Sequence, residues 1–270
     1  MDPDLTSSTA WTARRTDNSP VLIHVPHAGT HIPAAVRQAI VLSDEDLATE
    51  IDRMTDWHTD LIAASAQLIS EPSRRASSFT NHLSRLVVDP ERFTDETEVM
   101  RIVGMGAVYT KTSDGRPLRN PAPSHEAHLL ESYFHPYAEA LADMVDEIIA
   151  SVGHCTIIDL HSYPRSALPY ELDHTARRPE ICLGTDPFHT PGWLTAAARE
   201  AFAGYEVDEN TPFAGTYVPL RRYGTDQRVT SVMVEIRRDL YLADVTQPID
   251  RNVRRLTESM ARLVESSSVS

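Results

Sequence analysis

Two histidines stand where a fold most readily places chemistry. His27 follows the apolar run Val21–Val25 (VLIHV) across Pro26, and His161 lies near the end of CTIIDLHSYP, residues 155–164. A buried strand that stops in a polar loop sets side chains at the carboxyl edge of a sheet, where α/β proteins hold ligands. Two such exits converge on one crevice. Neutral imidazole is a good zinc ligand, and two imidazoles with one carboxylate leave a fourth position for water. Taken singly, each histidine is more often a structural, hydrogen-bonded residue than a ligand, and no HExxH or cysteine-based zinc pattern occurs.

The carboxylate has three candidates. Asp52, Asp56 and Asp60 are spaced by four, so on a helix they share one face. That stripe reads either as a solvated face eased by Arg53 or as the source of one ligand, with Asp56 in TDWHTD best placed. Glu235, near the end of VTSVMVEIRR, is the general-base candidate, because a carboxylate there is costly unless it is functional or paired with Arg237 or Arg85. His24, inside the first strand, reads as structural, and His31 as a possible substrate contact or ligand. Arg85, Arg92, Arg221, Arg222, Arg237 and Arg238 can grip an anion with a two-pronged fork, and Arg85 and Arg92 flank an apolar run. A phosphate-cradling loop, a GxSxG turn and a supported Cys–His pair are all missing from the sequence.

The elements that must position these groups alternate. After the first strand, Ser43 and Asp46 signal a helix start, and apolar spacing predicts one long helix over residues 44–69. Leu86, Val87 and Val88 predict a short buried strand. Residues 94–124 are glycine- and proline-bearing and read as a long excursion, a lid or rim. A second helix is predicted over 126–151, kinked or broken by Pro136. Then come the His161 strand, a short strand at 180–185, a helix at 190–202, a polar loop at 204–224, the alternating strand at 229–238 and a last helix at 247–267. In the 229–238 strand, Val232, Val234 and Ile236 face one way, and Ser231, Met233, Glu235 and Arg237 the other. This order predicts an α/β fold with a mostly parallel sheet between helical layers. The expected organisation is a flexible tail over residues 1–18 and one catalytic domain over 19–270.

Composition narrows the partners. The chain has 270 residues, 41% of them hydrophobic, with 39 acidic and 25 basic side chains and a net charge of -14. Nucleic acid and anionic membranes both demand a basic face, so neither is expected. No apolar run reaches membrane-helix length, and MDPDLTSSTAWTARR lacks the basic-then-apolar order of a secretory leader. Cys155 and Cys182 both lie in apolar runs and read as small hydrophobes rather than a disulfide framework, which favours the cytoplasm.

Six motifs in fixed order, PHAGTHIP, TDWHTD, SRLVVDPER, IDLHSYP, NTPFAGTYVP and VEIRRDLY, resemble the N-formylglutamate amidohydrolase family over residues 20–242. The resemblance implies a three-layer α/β/α sandwich with a mixed sheet, similar to zinc carboxypeptidases and zinc-dependent murein amidases. It implies one zinc ion held by His27, Asp56 and His161, with Glu235 as base. It implies hydrolysis of N-formyl-L-glutamate, a small anionic N-acyl amino acid, to formate and glutamate, a final step of histidine breakdown. Arg85 and Arg92 match arginines that would hold the two substrate carboxylates, and Tyr217 lies in a site-lining motif. Two departures bear on the substrate: Glu91 stands where many members carry Asn, and the run around Gly215-Thr216 is less glycine-rich. The rival expectations are a peptide- or peptidoglycan-cleaving zinc hydrolase and a non-catalytic binder of an anionic metabolite.

Overall fold

A computed structural model describes residues 10–268. Seven strands form one sheet: β1 (Trp11–Arg14), β2 (Val21–Val25), β3 (Ser77–Asn81), β4 (Cys155–Tyr163), β5 (Ile181–Gly184), β6 (Val207–Glu209) and β7 (Val229–Arg237), in the order β1-β3-β2-β4-β7-β5-β6. The helices are α1 (Ala34–Arg37), α2 (Asp44–Met54), α3 (Thr59–Ile69), α4 (Pro123–Leu129), α5 (His135–Val152), α6 (Gly192–Ala201) and α7 (Asp250–Ser267). Strands β3, β2, β4 and β7 run parallel, while β1 and β5 are antiparallel to β3 and β7. The α/β fold with a mostly parallel sheet expected from the alternation is therefore present, and the antiparallel β1 and β5 make the sheet mixed, as the resemblance implies.

Side-chain alternation divides the sheet into an apolar face and a chemical face. Val21, Ile23, Val25, Ile158, Leu160, Val232, Val234 and Ile236 pack with α3, α6 and α7. On the other face Leu22, Cys155, Ile157 and Val229 pack with Tyr137, Leu141, Met144, Val145 and Ile148 of α5. Each such aliphatic side chain, fully buried, contributes about 1.5–3 kcal/mol. His24, Asp159, His161 and Glu235 share the strand parity of the α5-side residues. Register completes the placement: His24 is opposite Asp159, and His161 is opposite Glu235.

Four local expectations need correction. The helix over 44–69 is two helices. Ser43 caps α2 through the Asp46 N–H as expected, but the chain leaves helix at Thr55 and turns through His58 at φ 64°. The Asp56 N–H donates to the His27 carbonyl, and the Thr59 N–H and hydroxyl donate to the Asp56 carbonyl. These non-helical bonds outweigh continuation of the helix, and they take Asp56 off the Asp52/Asp60 stripe.

Leu86–Val88 is not a strand but a buried turn. The Val87 N–H bonds back to Ser84, and buried Arg119 donates to the Leu86 and Val87 carbonyls. A side chain thus supplies the donors that a neighbouring strand would give. The predicted 126–151 helix is α4, a π-helical turn over Leu130–Phe134, and α5, with Pro136 in the first turn of α5. The expected tail is in part sheet, since β1 pairs with β3; residues 1–9 lie outside the described residues. The strand β3, SSFTN, has no apolar alternation in its sequence to mark it as one.

The excursion over 94–124 is packed rather than open at its base. Met100, Met105, Tyr109 and Leu118 are buried against Leu47, Met54 and Leu86. Among the described residues no helix is long and apolar enough to cross a membrane. Both cysteines are buried and free.

Candidate active site

Strand ends and turns bring one cluster together beneath a cavity of about 860 Å³. His27 hangs from the turn after β2. That turn is pressed against residues 82–84: a Cβ on Gly29 would lie 2.3 Å from the His82 carbonyl carbon, and the His31 N–H bonds to the His82 carbonyl. Asp56 comes from the break between α2 and α3, His161 from β4, and Glu235 from β7. The turn over 84–92 adds Arg85, Asp89, Glu91 and Arg92.

The distances define the chemistry. Nδ1 of His27 is 3.2 Å from Nδ1 of His161. Asp56 Oδ2 is 3.7 Å from the first and 3.3 Å from the second. Tetrahedral zinc with ligand bonds of about 2.0–2.1 Å has ligand atoms roughly 3.3 Å apart, so these three atoms fit one face of such a tetrahedron. His27 Nε2 is 2.9 Å from Asp89 Oδ1, which orients the ring and leaves Nδ1 free. Arg238 donates to Asp56 Oδ1 at 2.9 Å, while Oδ2 is buried with no hydrogen-bond partner. His161 Nε2 and Glu91 Oε1 are likewise buried without a hydrogen bond, though each lies within ion-pair range, His161 Nε2 of Asp159 at 3.2 Å and Glu91 Oε1 of His24 at 3.4 Å. Glu91 is a second possible third donor, since His27, Glu91 and His161 also form a group compact enough for a metal, with Glu91 Oε2 3.1 Å from His161 Nε2.

The electrostatics favour a cation at this point. Burial pulls both imidazole pKa values down, but nearby carboxylates outweigh it. Asp89 and Asp56 raise His27, and Glu91, Asp159 and Asp56 raise His161 well above its ordinary value. Burial pushes Asp56 and Asp89 up, yet both end below the ordinary carboxylate value: Asp56 through the two histidines and Arg238, Asp89 chiefly through Arg85. A divalent cation would supply the positive charge that otherwise must come from protons on the imidazoles.

Glu235 is the exception among the carboxylates. Its Oε2 is buried without a hydrogen-bond partner, and no ion pair holds it among the described residues. Desolvation, reinforced by Asp56 and opposed by His161, lifts its pKa to about 7. The expected alternatives, pairing with Arg237 or Arg85, are not formed. A group balanced near neutrality at a cavity wall suits proton transfer.

The structure brings His27, Asp56, His161, Glu235, Arg85, Arg92 and Tyr217 to this cavity, and leaves Arg237 out. Arg237, at the end of β7, donates instead to Asp239 and to the Arg178 carbonyl. Arg85 lines the cavity but is committed to Asp89, with Nη2–Oδ2 2.6 Å, and to the Tyr109 hydroxyl. Asp60 is exposed and accepts from the Leu61 N–H, and neither it nor Asp52 lines the cavity. His31 is exposed and outside the lining as well. His24 is held between Asp159 at 2.9 Å and the Tyr137 hydroxyl at 2.7 Å, the structural place expected for it. Tyr217 packs on the His24 ring, and its N–H donates to Asp159 Oδ2. Sequence reasoning missed Asp89 and Arg238 as supports of the imidazole–carboxylate group. Both adjoin assigned positions in SRLVVDPER and VEIRRDLY, so motif adjacency was the available signal.

Comparison with known proteins gives the same region a family context. A family model described as N-formylglutamate amidohydrolase matches residues 19–242. The N-formylglutamate deformylase of Pseudomonas aeruginosa is 30% identical over 259 residues, covering 89% of this chain and 92% of its own. That of Pseudomonas putida is 29% identical over 240 residues, covering 85% and 84%. The crystal structure of an N-formylglutamate amidohydrolase from Ralstonia eutropha JMP134 superposes with a TM-score of 0.79 at 20% identity, over 96% of this chain and 97% of that one. At that identity the superposition speaks for the fold alone.

Proposed function

From the premise that the chain belongs to the N-formylglutamate amidohydrolase family, and is therefore a hydrolase acting on an amide, we propose that it is a zinc enzyme. The proposed reaction is hydrolysis of the formyl amide of N-formyl-L-glutamate, or of a close N-acyl amino acid, to formate and the free amino acid. The observation that carries this reading is the meeting of His27 Nδ1, His161 Nδ1 and Asp56 Oδ2 within 3.7 Å of one another. The substrate is taken from the name of the Pseudomonas relatives, and a cytoplasmic place in histidine breakdown goes with it.

In this reading His27, His161 and Asp56 hold the ion. Zinc supplies Lewis acidity, which lowers the pKa of a coordinated water and polarises the acyl carbonyl. Asp89 keeps the His27 ring in register. Glu235 accepts the proton of the attacking water and returns it to the departing nitrogen, as its pKa of about 7 permits in both directions. Arg92, at the cavity wall, receives the substrate carboxylate. Tyr217 borders the same space.

The test joins metal analysis of the purified protein to formate release over a panel of N-formyl and N-acetyl amino acids. One zinc per chain with zinc-dependent formate release is the expected result. A protein that takes up no metal and releases no formate would sink the proposal and favour a binding module.

A further inference from the structure

We propose that the preferred substrate carries one carboxylate rather than two, together with an apolar side chain. This rests on the hydrolase reading above and narrows its substrate class. The first observation is a count of available cations. Five arginines line the cavity, against ten acidic residues. Four are already engaged: Arg53 donates to Asp114, Arg85 to Asp89, Arg221 to Asp143, and Arg238 to Asp56. Among the described residues Arg92 is the one of the five that donates no hydrogen bond; it is held only by longer ion pairs, Nε 3.5 Å from Asp89 and Nη1 3.9 Å from Glu98. One fork with its hydrogen-bonding capacity still unspent receives one carboxylate. A second would enter a space already lined by acids and would find no uncommitted guanidinium to repay its desolvation. Glu91 adjoins Arg92 in sequence and lines the same cavity, and its carboxylate lies 3.4 Å from His24 Nδ1 and 3.1 Å from His161 Nε2, so it adds an acidic group to the wall beside the anchor.

The second observation is the character of the rim. Phe93, Val99, Leu172, Leu220 and Tyr223 all line this cavity, and all are exposed, by 38% to 67%. Exposed large apolar side chains gathered at one mouth mark a surface that is covered when occupied. The scissile carbonyl belongs at the imidazole pair and the α-carboxylate at Arg92, so the part of the ligand that reaches the rim is the amino-acid side chain. A formylated leucine or phenylalanine meets that rim with apolar surface, whereas formylglutamate meets it with charge.

Binding and turnover are measured separately. Calorimetry on zinc-loaded Glu235→Gln compares N-formyl-L-leucine, N-formyl-L-glutamine and N-formyl-L-glutamate, and kcat/KM for formate release is measured on the wild type with the same three. The expected result is leucine binding at least tenfold tighter than glutamate, glutamine lying between, and the same order in kcat/KM. Glu91→Gln should narrow the leucine-to-glutamate ratio at least fivefold, and Arg92→Ala should weaken the leucine compound at least tenfold. Equal or tighter binding of glutamate overturns the inference, and so does failure of all three to bind. The expected binding order without formate release from any of them would sustain the ligand class and remove the hydrolase reading. Should Glu235→Gln not fold, the wild-type kcat/KM order decides alone.

Discussion

His27 Nε2 lies 2.9 Å from Asp89 Oδ1, and Asp89 is itself fully buried and held by Arg85 and the Tyr109 hydroxyl. The carboxylate therefore does two jobs: it fixes the tautomer of an imidazole whose other nitrogen faces His161, and it neutralises a nearly buried guanidinium. Outer carboxylates of this kind are worth about 10–100-fold in metal affinity. Asp89→Asn should lower zinc affinity by that factor in a chelator competition titration. It should also destabilise the protein by about 3–5 kcal/mol in urea, because Arg85 keeps its charge and loses its partner. Unchanged zinc affinity in a folded variant would show that His27 does not depend on Asp89 for its orientation.

The third donor is decided by two substitutions. Asp56 Oδ2 faces both Nδ1 atoms, whereas Glu91 faces the Nε2 side, where His27 is already bonded to Asp89. Asp56→Ala should therefore lose at least 100-fold in zinc affinity, and Glu91→Ala less than tenfold. The reverse order in the same titration would transfer the assignment to Glu91.

Most of the scaffold could be read in the sequence because it rests on short-range regularities. Apolar patterning marks β2, β4, β5, β7, α5 and α7, and alternation in the 229–238 strand sets Glu235 on the less apolar face; that Asp159 and His161 share it follows from the register of the folded sheet. The misreadings arose where tertiary partners displaced local preference. Leu86–Val88 carries strand-forming residues, but Arg119, more than thirty positions away, satisfies the carbonyls that a strand would otherwise present. Helical spacing across 52–60 concealed the break that frees Asp56, since the competing acceptor for its N–H is the His27 carbonyl. Arg237 and Arg238 are adjacent, and nothing local says which turns toward the metal-ligand candidates. The answer depends on where Asp56 and Arg178 come to rest.

Gly29 links the His27 turn to the turn that carries Asp89. A methyl group there would meet the His82 carbonyl carbon at 2.3 Å and the Leu83 oxygen at 2.6 Å, both backbone atoms that cannot swing aside. Gly29→Ala should cost about 1–3 kcal/mol or more through overpacking. It should also weaken zinc binding, because relief requires the His27 turn to retreat from residues 82–84. Chemical denaturation and zinc titration of this one variant check both effects; a loss of stability with zinc affinity intact would detach the turn from the site.

The pKa of Glu235 predicts opposite pH trends for activity and stability. As a base it must be ionised, so kcat/KM of the zinc enzyme should fall with unit slope as pH drops through a value at or below about 7, a nearby cation moving the limb only downward. Glu235→Gln should retain zinc and lose about 10²–10⁴-fold in turnover. For stability, burial raises the folded pKa to about 7 from an ordinary 4.5. On raising the pH the unfolded chain ionises first, so the stabilisation that this group gives is complete below about pH 4.5 and is lost as pH rises through 7. In metal-free protein, Glu235→Gln should therefore gain Tm relative to the wild type above pH 7 and lose that advantage near pH 5. A Tm difference that stays constant across this range would mean that Glu235 ionises as easily in the fold as in the unfolded chain. Its assignment as a base tuned near neutrality would then fail, even if the substitution abolished turnover.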